Sequence, residues 1–432
     1  MDLHSPPGDV GRRRSVRAMA PADAMWHWFA TKFPTDQFVI FAFDGMPASL
    51  ADAVGAALER ARSIPDLTVR IQEDRFGLRF PKWVECGVDS AQGVVHELPT
   101  PTWGACLDAV SALVKQQLDT HVATWRLHVL PAVIGVPGVA GPATVGVLQI
   151  THALGDGPRT TALAAAMFGR DAVPTTITAG PVGPLIRSMS AAVRARRELA
   201  RDVEAGRVPP AKAPVRTLSL NSRPSGTLVL RTLMRRKEQL TGPTLTVSAL
   251  VSVSDALTGY LRARGEDTSE LTASVPAAKG GVAKSYNHIG SASIGLHADA
   301  ASRDEKVRRI VADLMEWRRR NLHPALDAEE AAFATIPAPV RRLAIELMRA
   351  DRQPAMVPAH TVVSSVDRGP ADLSFGGRPV VYTMGFPALL PISSLVHGVH
   401  SIGDTVAFTV HASSPQVDVD DYVARLDAAL PR

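Results

Sequence analysis

Apolar positions along this chain come in short runs that switch between two periods. Phe38 to Phe43 is an unbroken apolar run and reads as a short buried strand, whereas Leu107, Val110, Leu113 and Val114 recur at helical spacing and predict a helix over 103–117. Helices are likewise expected over 22–31, 47–63, 160–168, 185–205, 248–263, 306–320, 338–348 and 419–430, with Gly265 a suitable left-handed cap after the fifth of these. Strands are expected over 69–80, 125–134, 144–150, 271–275, 291–296, 357–364 and 405–410. Strand and helix alternate throughout, so the fold class is α/β.

A chain of 432 residues exceeds the size at which one core usually stops growing, so two halves are expected. The divisions are a flexible basic tail over 1–17, an N-terminal half over 18–180, a crossover linker over 181–245 and a C-terminal half over 246–432. The linker is set by a rise in Pro, Gly and basic residues. Order is expected to begin near Pro21. The stretch 127–150 lacks Asp, Glu, Lys and Arg, but Pro131, Pro137 and Pro142 argue against a membrane helix. Two buried strands around a turn-rich loop fit it better.

The net charge of +5 is gathered in clusters: Arg12 to Arg14, Arg194 with Arg196 and Arg197, Arg235 to Lys237, Arg318 to Arg320, and Arg341 with Arg342. Solvated helix faces are the bland explanation; attraction to anionic headgroups or ligand phosphates is the functional one. No aromatic-interleaved basic stripe accompanies them, so nucleic acid is not expected as a partner. Two cysteines, Cys86 and Cys106, cannot make a disulfide framework, and no signal segment opens the chain, which points to the cytoplasm.

The chemistry concentrates at Thr151-His152-Ala153-Leu154-Gly155-Asp156-Gly157, between an expected strand and an expected helix. A strand-to-helix turn holds a side chain rigidly yet open to a cleft, which a general base requires, and imidazole titrates near neutrality. Asp156 is expected to fix the loop by accepting from turn amides or pairing with an arginine, and Gly157 to permit an unusual backbone angle or a close approach. The alternative for His152 is a satisfied core histidine at a strand end. His397 and His400 lie three apart with no acidic partner, so no metal is expected. There is no nucleophile elbow around Ser293, no phosphate-binding glycine loop and no cysteine nucleophile signature, leaving direct transfer without a covalent intermediate as the simplest chemistry.

Several ordered segments point to one family. They are Met19 to Trp26, Val95 to Pro99, Gln117-Leu118-Asp119 through Thr124-Trp125, then His152 with Asp156 and Gly157, and later Tyr286-Asn287, Ser364 to Pro370 and His400 to Asp404. Together they resemble the wax ester synthase/acyl-CoA:diacylglycerol acyltransferases of actinobacteria, within the coenzyme A-dependent acyltransferase superfamily. The resemblance implies two chloramphenicol-acetyltransferase-like halves, each a mixed sheet with flanking helices, with a tunnel at their interface. It implies His152 as base with Asp156 beside it, Thr151, Gly157, Trp125 and Asp119 in structural roles, and Asn287, Ser364 and Ser365 against substrate. It further implies acyl-CoA as co-substrate with no other cofactor and a diacylglycerol or fatty alcohol as acceptor; apolar substrates together with the basic clusters lead to the expectation of peripheral contact with the inner membrane face or a lipid droplet. The sequence departs from the family at Thr151, which replaces the first signature histidine, around Thr246 to Ala249, where the family's Asn-Asp pair is not evident, and at Ser365 to Arg368, which replace Asn-Val-Pro. These departures leave open a glycolipid or polyketide hydroxyl as acceptor, or a non-catalytic lipid- or acyl-CoA-binding protein.

Overall fold

The computed structural model describes residues 16–180, 182–349 and 352–432. Most of the expected basic tail, including Arg12 to Arg14, lies outside them. Order begins earlier than Pro21: Val16–Ala18 pairs antiparallel with Lys82–Glu85.

Two six-stranded sheets dominate the architecture. In the first, Gln37–Asp44 lies between Arg378–Gly385 and Ala143–Ile150, followed by Trp125–Val133 and Gly93–Val95. Every residue of Ala143–Ile150 is buried. Both faces of this central strand are covered, which is why the sequence there reads as a continuous apolar run rather than an alternation. The 127–150 stretch is thus an antiparallel strand pair, and no helix among the described residues is long and apolar enough to cross a membrane.

The second sheet runs Ile289–Gly295, Thr272–Ala278, Thr361–Asp367, Leu395–Ile402, Thr405–Ser414 and Thr227–Arg236. Two of its strands go beyond the expected set. Thr227–Arg236, inside the expected linker, is an edge strand paired with all of Thr405–Ser414; its alternation of leucines with Arg231 and Arg235 looked basic rather than strand-like. Leu395–Ile402, with His397 and His400, is fully buried, its two histidines turned to opposite faces.

The halves also exchange a strand. Arg378–Gly385 comes from the second half of the chain, yet it pairs antiparallel with Gln37–Asp44 of the first. The two sheets approach closely beside it, where Thr409 Oγ1 donates to the Gly385 carbonyl at 2.7 Å.

Local corrections have local causes. The expected helix over 47–63 starts at Leu50, because Ser49 caps it by accepting from the Asp52 amide at 3.2 Å. The expected strand over 69–80 ends at Gln72, and Phe76 and Leu78 stand exposed in the turn that follows. An additional helix, Pro324–Ala334, packs against Leu185–Glu204.

Candidate active site

His152 opens a single short 3-10 turn, His152–Leu154, between the central strand Ala143–Ile150 and the helix Gly157–Met167. The turn is possible because Gly155 takes φ +156° with ψ 168°, a region closed to residues with a side chain. Of the two roles expected at Gly157, the unusual angle falls instead to Gly155. Gly157 is needed for the other reason, close approach, since a Cβ there would lie 3.0 Å from Val366 Cγ2.

Asn287 reaches this turn from the second half of the chain. Its Nδ2 donates to Asp23 Oδ1 at 3.0 Å and to the His152 carbonyl at 2.9 Å. That fixes the amide, so Oδ1 faces His152 Nδ1 at 2.9 Å as an acceptor. The hydrogen-bond network therefore assigns the imidazole proton to Nδ1 and leaves Nε2 bare, with no hydrogen bond among the described residues. Trp26 stacks on the ring at 3.7 Å between centroids and 5° between planes. Burial pushes the His152 pKa down to about 4, against smaller upward contributions from its own carbonyl, Asn287 and Asp156, so the ring is neutral at pH 7.

Asp156 caps the helix Gly157–Met167 by accepting from the Arg159 amide at 3.1 Å, and its other oxygen accepts from the His288 amide at 3.1 Å. The expected turn-amide role is therefore what the geometry provides, whereas the arginine goes elsewhere. Arg159 stacks over the Tyr286 ring at 4.0 Å and pairs with Asp66, which is buried and also accepts from Arg17 at 3.1 Å and the Tyr286 hydroxyl at 2.7 Å. Tyr286, Asn287 and His288 thus clamp the histidine turn between the halves, each through a different partner.

The other expected residues are dispersed. Asn287 was expected against substrate, but its polar atoms are taken by His152 and Asp23, the latter also accepting from the Tyr286 and Asn287 amides at 3.0 Å each. Thr151 is buried and its amide donates to the Thr124 carbonyl at 3.0 Å. Trp125 is fully buried, with Nε1 donating to the Leu67 carbonyl at 2.8 Å. Asp119 is exposed and accepts from the His121 amide at 3.0 Å, a turn contact away from the histidine. Ser364 and Ser365 are half-buried on Thr361–Asp367, the strand whose Val366 abuts Gly157. Asp23, Trp26 and Asp66 were not singled out for any role, although Asp23 and Trp26 lie in the Met19 to Trp26 segment whose resemblance was already visible. A cavity of about 250 Å³ opens beside Phe38, Phe386 and His411, and His152 does not line it. Among the described residues no cluster of His, Cys, Asp or Glu is arranged to hold a metal.

Residues 286–432, beginning at the Tyr286-Asn287 clamp, match the family model described as the WS/DGAT C-terminal domain. The match covers about the C-terminal third of the chain. Solved structures show which fold the chain has. The wax ester synthase/diacylglycerol acyltransferase from Marinobacter aquaeolei VT8 superposes with a TM-score of 0.62 at 19% identity, covering 96% of this chain and 98% of that one. The starter condensation domain of rhizomide synthetase, in complex with C8-CoA and Leu-SNAC, gives 0.59 at 13% over 96% and 93%. The trichothecene 15-O-acetyltransferase from Fusarium sporotrichioides gives 0.59 at 13% over 98% and 96%. At these identities the likeness is one of fold, the two-halved chloramphenicol-acetyltransferase-like arrangement. A comparison with curated protein sequences finds no match.

Proposed function

We propose that this protein is an acyltransferase of WS/DGAT type that moves an acyl group from a long-chain acyl-CoA to a hydroxyl of a lipid alcohol, the class that includes diacylglycerol and fatty alcohols. The observation that carries the reading is the tautomer of His152: Nδ1–H is committed to Asn287 and Nε2 is free to accept a proton. Nε2 takes the proton of the acceptor hydroxyl as its oxygen attacks the thioester carbonyl. The tetrahedral intermediate then expels the coenzyme A sulfur, which recovers the proton from the imidazolium. While the charge is on the ring, the Trp26 face and the Asn287 oxygen support it. Intact base geometry favours catalysis over a silent binding protein, despite Thr151 in place of the first signature histidine.

The test is coenzyme A release, followed by thiol trapping, with acyl-CoA and a panel of lipid alcohols. His152→Ala is expected to lose about two to four orders of magnitude in kcat. Turnover equal to wild type would remove His152 from the reaction. Peripheral membrane contact belongs to the same reading, because both expected substrates carry long apolar chains; helix Leu185–Glu204, which exposes Leu185, Ile186, Met189 and Val193, is the surface that suits it.

A further inference from the structure

Arg368 carries a charge into the interior and meets no counter-charge there. The residue is 3% exposed, and its Nε and Nη1 have no hydrogen-bond partner among the described residues. Its neighbour Asp367 faces elsewhere: Oδ1 accepts from Ser401 Oγ at 2.8 Å and the Gly369 amide at 3.1 Å, and lies 3.7 Å from Lys237. The guanidinium sits 5.4 Å from the Phe41 ring centroid. A Cβ on Gly385 would lie 2.8 Å from Arg368 Nη2 and 3.1 Å from His400 Nε2. His400 is 5% exposed, and its Nδ1 is likewise unpartnered.

Two strands link this pair to the histidine turn. Phe41 and Gln37 share one face of Gln37–Asp44, and Gln37 Nε2 donates to the Gly155 carbonyl. Val366, two residues before Arg368, abuts Gly157. Leaving a buried guanidinium unpaired costs several kcal/mol, and burial lowers its pKa only to about 9, so it remains charged at pH 7. His400, pushed well below its ordinary value by burial and by Arg368, is neutral and has a ring N–H to offer. A forked cation beside a neutral N–H donor is matched by two or more oxygens of one anionic group.

We propose that Arg368 and His400 bind a carboxylate or phosphate carried by the acceptor, so that the acceptor is a lipid alcohol with an anionic group rather than a neutral one. The proposal rests on the acyl-transfer reading for the word acceptor, but the anion site itself can be read without turnover. Calorimetry with the full-length His152→Ala protein compares a long-chain hydroxy acid with its methyl ester. The acid is expected to bind at least about tenfold more tightly, and that preference to vanish in the His152→Ala, Arg368→Met double variant. Thermal unfolding of the wild type at constant ionic strength adds inorganic phosphate as a second probe, expected to raise Tm there and not in Arg368→Met.

Equal binding of acid and ester, a comparison that needs no change at Arg368, overturns the proposal. So does a preference that survives Arg368→Met. Phosphate protection without any acid preference means a free anion occupies the site, and the acceptor assignment falls. If the acid is preferred but neither compound is acylated by the wild type, the anion site stands and the acyl-transfer reading fails.

Discussion

At the scale of single residues, the tautomer of one imidazole carries most of the chemistry. Asn287 can hold Nδ1–H only because Asp23 and the His152 carbonyl occupy its amide nitrogen, so four groups from three chain segments set one proton. Asn287 is therefore a positioning residue, and its role separates from a packing role in a pH profile. With burial holding His152 near 4, kcat/KM is expected to stay level from pH 7 downward and to fall only as pH passes through about 4. In Asn287→Asp a carboxylate faces Nδ1–H and favours the charged ring, so the acid limb moves upward. Asn287→Leu leaves both tautomers accessible and is expected to lower kcat by about tenfold to a hundredfold, less than loss of the base itself. Identical acid limbs in wild type and Asn287→Asp would show that the contact does not govern the base.

Among the elements, Leu185–Glu204 has two faces with different partners. One face, with Ala192, Ala195, Leu199 and Val203, is turned toward the body of the protein, where Leu199 packs on Ala325 of Pro324–Ala334. The other exposes Ile186 at 82%, with Met189 and Val193 one turn and two turns further and Arg194 and Arg197 beside them. Most other basic clusters are engaged within the protein: Arg235 pairs with Asp427, Arg319 and Arg320 donate to the Arg207 and Pro209 carbonyls, and Arg341 donates to those of Pro21 and Phe333. This helix is where a membrane would find apolar and cationic groups together. Sedimentation with anionic vesicles is expected to decline as salt rises, and Ile186→Glu to reduce it at each salt concentration. Binding that is equal in wild type and Ile186→Glu would assign the contact to another surface.

On the scale of the whole molecule, the interior holds histidines that must stay neutral. Burial lowers His128, His152, His397 and His411 from 6.5 to about 4, and burial together with Arg368 holds His400 well below its ordinary value. A group with a depressed histidine pKa binds its proton more readily when unfolded, so its contribution is complete above pH 6.5 and is lost as pH falls toward 4. Asp23 and Asp36 act in the opposite sense, because burial raises them from 3.8 to about 6 and their contribution is lost as pH rises through that range. Five depressed histidines outweigh two raised carboxylates. The urea midpoint is thus expected to drop between pH 7 and pH 4.5; a midpoint that holds or climbs would show that the buried carboxylates dominate.

What the sequence determined by itself was local and periodic. Its apolar runs located the strands around His152, its caps and turn residues placed most helices within a few positions, and its ordered motifs brought one family, with His152 as base, into view as a resemblance. Such features are legible because strand and helix periods and turn chemistry are written within a few residues of one another. Three things were decided only in the tertiary structure. Arg378–Gly385 crosses to the other half's sheet, Thr227–Arg236 becomes an edge strand because Thr405–Ser414 offers it a partner, and Asn287 meets His152 across 135 positions. Pairing and hydrogen bonds over such separations depend on which surfaces packing brings together, and no local pattern encodes that. The same holds for Arg368: its sequence neighbours give no hint of burial, and only the closure of the two sheets over Gly385 leaves its charge without a partner.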